Sequence, residues 1–264
     1  MDKTVSVNGT GANLSPEGTG KGAQTPTREP IGNGVFIYVS REHTFGTDAV
    51  LLADFAKAKK GDLAVDLGTG CGIIPFLMLR DGVPKEITGV DIAPKAVELA
   101  LLTASEAGFT RFTAICSDIG DLKGKISFGD KTLVTCNPPY KAANAGIKAK
   151  SDARLTARFE STCTLEDTVR TGSALLRTGG RLCMCQRPER LAELITLMSG
   201  YGVEPKRLRT VAKEPREAPW LVLVEGKREA KPGLIIEPPL FLYENGALSK
   251  EMKRIYGPYK EAYL

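Results

Sequence analysis

The run Leu63-Ala64-Val65-Asp66-Leu67-Gly68-Thr69-Gly70-Cys71-Gly72 constrains the fold of this chain more than any other stretch. Leu63, Ala64 and Val65 read as a short apolar strand, three alternating glycines make a tight turn, and an apolar helix follows through Leu79. A glycine-rich turn from strand to helix presents free backbone N–H groups, which is how such folds hold nucleotide-type cofactors. The third slot of a G-x-G-x-x-G fingerprint falls here on Ile73, which argues against a dinucleotide. Asp66 ends the strand two residues before Gly68, where a carboxylate would repel a pyrophosphate but suits a cofactor with a cationic end.

The same rhythm continues downstream. Residues 87–90 read as a strand ending at Asp91, which lies 19 residues beyond Gly72. Residues 112–116 form a strand closed by Ser117-Asp118, and residues 132–136 run straight into Asn137-Pro138-Pro139-Tyr140. Between and after them, residues 96–107 read as a helix stopped at Gly108. Residues 165–177 read as another, with Thr164 as N-cap, Glu166 and Asp167 in the first turn and Gly179-Gly180 as the stop. Pro188 opens a helix that ends near Gly200, and Thr47 is read as the N-cap of an earlier helix with Asp48 in its first turn. Further strands are expected at 35–39, 181–185, 220–224 and 234–236. Alternating strands and helices of this kind imply an α/β fold, an open and mostly parallel sheet with helices on both faces.

With 264 residues and 42% hydrophobic content, the chain can build a core without disulfides or metal. The six cysteines include no C-x-x-C pair and the single histidine is His43, so no metal site is expected, and reduced, buried thiols suit the cytoplasm. No apolar run approaches a membrane span, and the N-terminus lacks a basic-then-apolar leader. Residues 1–29 hold five Gly, five Thr, no aromatic residue and balanced charges. Residues 1–30 are therefore expected to be a disordered tail, and 31–264 a single domain. The net charge of +5 permits a polyanionic partner.

Three strand ends close with an acid, each suited to one part of a nucleoside cofactor: Asp66 to a cationic end, Asp91 to ribose hydroxyls, Asp118 to an adenine amine. Asn137-Pro138-Pro139-Tyr140 carries a different chemistry. A planar –NH2 group is a poor nucleophile because its lone pair is delocalised. The Asn137 side-chain oxygen and the Pro138 carbonyl can accept its two hydrogens and favour a pyramidal nitrogen, while the prolines limit backbone motion. Tyr140 offers a face on which a planar substrate can stack. Residues 141–158 hold Lys141, Lys148, Lys150, Arg154 and Arg158 against one acid, Asp152, beside that tetrapeptide, and are expected to meet RNA. Residues 206–216 are a second basic segment, and His43 is read as an ordinary turn residue.

The D-x-G-x-G-x-G run resembles the first motif of class I S-adenosylmethionine methyltransferases. The Asn-Pro-Pro-Tyr tetrapeptide resembles that of amino-group methyltransferases acting on adenine N6, on guanine N2 of ribosomal RNA, or on a release-factor glutamine. Phe45-Gly46-Thr47-Asp48-Ala49, Thr156-Ala157-Arg158-Phe159-Glu160, Arg187-Pro188-Glu189-Arg190-Leu191, Lys231-Pro232-Gly233-Leu234 and Ile255-Tyr256-Gly257 are similar to one branch, the bacterial tRNA1(Val) adenine-N6 methyltransferase family. That resemblance spans roughly residues 31–257. It implies a Rossmann-like, seven-stranded sheet, S-adenosylmethionine as cofactor, and methylation of the adenosine just 3′ of the anticodon in a valine tRNA. It further implies cofactor contacts from Thr47, Asp48, Asp66, Gly68, Gly70, Gly72, Asp91, Ile92, Asp118, Ile119 and Asn137, with the target amine held by Asn137, Pro138, Pro139 and Tyr140. Lys141 departs from the aromatic residue expected after Tyr140. Partners are then the tRNA anticodon loop, with no membrane and no metal; the oligomeric state is left open, and a monomer is compatible with it. The alternatives are a release-factor glutamine methyltransferase, whose separate N-terminal helical domain residues 1–30 cannot form, a guanine-N2 methyltransferase, and a catalytically silent RNA-binding protein.

Overall fold

The strand–turn–helix of residues 63–80 lies at the centre of the sheet in the computed structural model of the chain, which describes residues 4–5, 25–138 and 164–257. In chain order its elements are β1 (Thr4–Val5), β2 (Thr27–Gly32), β3 (Val35–Val39), α1 (Thr47–Ala56), β4 (Leu63–Leu67), α2 (Ile73–Arg80), β5 (Glu86–Asp91) and α3 (Pro94–Ala107). There follow β6 (Phe112–Cys116), β7 (Lys131–Cys136), α4 (Leu165–Leu175), β8 (Leu176–Gln186) and α5 (Leu191–Gly200). Then come β9 (Val203–Ala212), β10 (Leu221–Arg228), β11 (Ile235–Ile236), β12 (Leu240–Phe241) and, after a short hairpin, α6 (Lys250–Tyr256).

Seven long strands lie in the order β6-β5-β4-β7-β8-β10-β9, and two-residue strands extend both edges. All neighbours from β6 to β8 are parallel, whereas β10 runs antiparallel between β8 and β9. Because side chains alternate along a strand, Cys183 and Cys185 of β8 face the core beneath α1, α2 and α3, while Leu182 and Met184 face α4 and α5. The parallel order brings the C-terminal ends of β4, β5, β6, β7 and β8 to one edge, the edge that carries the site.

Local chemistry accounts for most boundaries. Pro94 occupies the first turn of α3, where its missing N–H costs nothing, and Gly108 ends the helix in the left-handed conformation. Thr164 and Asp167 form a reciprocal capping box at α4. Three expectations need correction. The N-cap of α1 is Gly46, not Thr47, whose hydroxyl instead hydrogen-bonds Tyr256 Oη of α6 at 2.9 Å. Helix α4 stops at Leu175, and Gly179-Gly180 belong to an irregular stretch of β8 pressed against β7, where a Cβ on Gly180 would lie 2.8 Å from the Lys131 carbonyl. The hairpin β2–β3 begins at Thr27, inside the segment expected as a tail, and Thr4–Val5 pairs with β6. Strand β9 has no counterpart among the expected strands.

Candidate cofactor and amine-binding site

The glycine turn after β4 is anchored to the neighbouring strand. Gly68 and Thr69 donate their backbone N–H groups to the Val90 carbonyl at 2.8 and 2.9 Å. Gly68, Gly70 and Gly72 all have positive φ (72°, 56° and 88°), and a Cβ on Gly72 would fall 2.4 Å from the Phe76 ring. The Asp91 carboxylate ties this turn to the next helix, accepting from Gly70 N (2.8 Å) and Ala93 N (2.9 Å). Burial pushes the Asp91 carboxyl upward, opposed by those two N–H groups and by the charge of His43. His43 sits in a turn closed by reciprocal backbone bonds with Ser40, at 3.0 and 3.2 Å. It stands in the turn that the sequence suggests.

Asp66 is only 1% exposed and accepts a 2.6 Å hydrogen bond from the Thr135 hydroxyl of β7. Its other oxygen, Oδ2, is buried without a hydrogen-bond partner among the described residues. Burial, partly offset by the Thr135 and Thr69 hydroxyls, pushes this carboxyl up to about 7. A buried carboxylate with an unused oxygen beside a glycine turn fits the cationic end of a ligand and would be costly without one. Asp118 follows β6 and caps the short turn Ile119–Asp121, accepting from Gly120 N at 2.8 Å. Ile92, 40% exposed, stands on the rim beside Asp91, whereas Ile119 is buried.

At the end of β7, the half-buried Asn137 is held from two sides. Its Nδ2 donates to Asp48 Oδ2 of α1 at 3.0 Å, and its Oδ1 accepts from the Cys185 thiol of β8 at 3.0 Å. Pro138 is buried behind it. Asp66, Asp91, Asp118, Asn137, Thr47 and Asp48 are thus placed by the ends of adjoining strands and the start of α1. Pro139, Tyr140, Lys141, Lys148, Lys150, Arg154 and Arg158 lie outside the described residues. Among the described residues no cluster of His, Cys, Asp and Glu could hold a metal, and no helix is long and apolar enough to cross a membrane. The second basic segment is largely structural: Arg207 pairs with Glu225 and Glu237, and Arg209 forms a bidentate pair with Glu251 at 2.7 and 2.6 Å. Lys213 and Arg216 remain exposed on the loop that follows β9.

A strand order with one antiparallel strand near the edge, a glycine turn and acids at successive strand ends defines a class I methyltransferase architecture. Residues 58–216 match the methyltransferase domain family, and the chain belongs to it. A tRNA1(Val) (adenine(37)-N6)-methyltransferase of Porphyromonas gingivalis is 30% identical over 187 residues, covering 68% of this chain and 72% of that protein. A protein of the same name from a Flavobacteriaceae bacterium is 29% identical over 178 residues, covering 62% and 74%. Within the methyltransferases, the chain therefore belongs to the tRNA1(Val) (adenine(37)-N6)-methyltransferase family. In fold it is similar to the crystal structure of a predicted O-methyltransferase from Agrobacterium tumefaciens (TM-score 0.65, 22% identity, 81% of this chain and 97% of that one).

Proposed function

We propose that the chain transfers a methyl group from S-adenosylmethionine to the N6 amine of an adenosine in tRNA, the one just 3′ of the anticodon in tRNA1(Val). The observation that carries this reading is the Asn137 amide, fixed by Asp48 and Cys185 at the strand edge that also holds the glycine turn. The cofactor fits the residues present: Asp66 has a buried oxygen to spare for an amino group, and Asp91 and Asp118 lie at the next two strand ends. Thr47, Asp48, Ile92, Ile119 and the turn of Gly68, Gly70 and Gly72 complete its binding surface. When bound, this cofactor supplies an electrophilic methyl group on a cationic sulfur.

The protein's own contribution is to the amine. Asn137 Oδ1 and the Pro138 carbonyl accept the hydrogens of the adenine –NH2 and favour the pyramidal nitrogen, an interaction that strengthens as the nitrogen becomes tetrahedral. Tyr140 stacks on the base, and an adenosine in an anticodon loop needs little unstacking to be reached. Lys141, Lys148, Lys150, Arg154 and Arg158 meet the RNA backbone, and the enzyme works in the cytoplasm. The family names favour this reading over the glutamine and guanine alternatives. Mass spectrometry of nucleosides from tRNA1(Val) of a strain lacking the protein tests it: N6-methyladenosine disappears from that tRNA and returns with the gene. An unchanged level, with methylation lost from a release-factor glutamine or a ribosomal guanine, overturns it.

A further inference from the structure

We infer that Asp48 and Cys185 are positioning residues that decide which end of the Asn137 amide faces the target amine. The inference deepens the proposed function and rests on its assignment of Asn137 to the amine. The two ends of an amide are nearly equal in shape and opposite in chemistry, so an asparagine that accepts from a substrate must be prevented from flipping. Asp48 has no hydrogen to give as a carboxylate, so the nitrogen of Asn137 is the end that faces it, at 3.0 Å. The oxygen is thereby turned toward Cys185, whose thiol donates to it at 3.0 Å.

Three separate elements converge on this one side chain. Asp48 lies in the first turn of α1, Asn137 follows β7, and Cys185 lies on β8, one residue beyond the Cys136–Met184 pair. Cys185 is fully buried, so its place is set by the core and not by solvent. A thiol is a weak donor. It orients Oδ1 while drawing little on that oxygen's acceptor strength. A hydroxyl at the same place would orient the amide as well but compete more strongly. Cys183, on the same face of β8, faces the Glu225 carboxylate instead, so this use of a buried thiol belongs to residue 185.

The test compares Cys185→Val, which fills the space but cannot donate, with Cys185→Ser, which keeps a donor. In the full-length protein with tRNA and S-adenosylmethionine, Cys185→Val is expected to lower kcat roughly tenfold, the scale of one lost hydrogen bond, at unchanged KM for both substrates. Cys185→Ser should stay within about threefold of the parent. A merely structural role predicts the reverse order, because valine suits a buried strand better than serine. The Asn137 side-chain amide resonances should shift in Cys185→Val and stay near their parental positions in Cys185→Ser. Parental kcat together with parental amide resonances in Cys185→Val overturns the inference. If the methyl lands on another amine, the proposed function fails, while the same order of kcat and resonances on that amine still supports the positioning role.

Discussion

Asp62 immediately precedes β4 and Asp66 lies within it, four residues on, and both carboxylates are buried, yet their surroundings are opposite. Asp62 accepts from Lys59 N, from the Thr132 hydroxyl and from Arg181, at 2.7, 2.8 and 3.1 Å. Arg181 goes on to Glu225 at 3.2 Å, and Arg207 joins Glu225 to Glu237 while lying over the Phe55 ring at 4.4 Å. Asp66 faces only hydroxyls, Thr135 at 2.6 Å and the more distant Thr69, and among the described residues it has no cation and one oxygen without a partner in hydrogen-bonding geometry. Where a buried charge belongs to the architecture, the chain supplies its counter-ion. Where the chain supplies none, the missing positive charge is expected to come with a ligand.

The largest effect should come from breaking the architectural cluster. Asp62→Ala leaves Arg181 with only part of its counter-charge in a buried setting and is expected to cost about 3 kcal/mol of stability, read by urea denaturation. Cofactor affinity of the folded variant should be unchanged. Unaltered stability would remove the distinction between the two acids.

Asp66→Asn should do the converse. Loss of a charge-assisted contact is expected to weaken S-adenosylmethionine binding by roughly 1.5–3 kcal/mol in calorimetric titration. The free protein should not lose stability at pH 8. The Asp66 carboxyl is raised to about 7 in the folded chain from an ordinary 3.8. Its contribution to stability is therefore full below about pH 4 and falls away as the pH rises to 7, by about 1.4 kcal/mol for each pH unit. Thermal denaturation between pH 5 and 8 should show a flatter profile for Asp66→Asn than for the parent. Identical profiles would mean that Asp66 is not buried as a lone carboxyl.

A neutral contact at the site's edge should matter least. Tyr256→Phe removes the bond to the Thr47 hydroxyl and is expected to cost about 1 kcal/mol or less, with RNA affinity unchanged. A larger loss would show that α6 does more than brace the start of α1.

The central strand–turn–helix was legible because its signal is local: glycine spacing, an acid at the strand end and an apolar run on either side. Strand β9 was not, because Pro205 and the basic residues Lys206, Arg207 and Arg209 mask any apolar alternation. What makes that stretch a strand is distant: its ladder with β10, together with Glu225, Glu237 and Glu251, which pair with the arginines. The same limit applied within the site. Asp66, Asp91 and Asn137 could be read from strand ends, but the hold of Asp48 and Cys185 on Asn137 joins residues 89 and 48 positions apart. Thr47 shows a subtler failure. Its residue type suits a helix cap, and Tyr256, far along the chain, takes its hydroxyl instead.

Single-turnover methylation of unmodified tRNA1(Val) by Asn137→Ala, beside the parent, tests the central claim most directly. The rate of N6-methyladenosine formation should fall by roughly 10²–10³, the scale of removing one oriented group that acts mainly in the transition state, while cofactor affinity stays nearly parental. A near-parental rate, or a loss traced entirely to weaker cofactor binding, would contradict the assignment of Asn137 to the target amine.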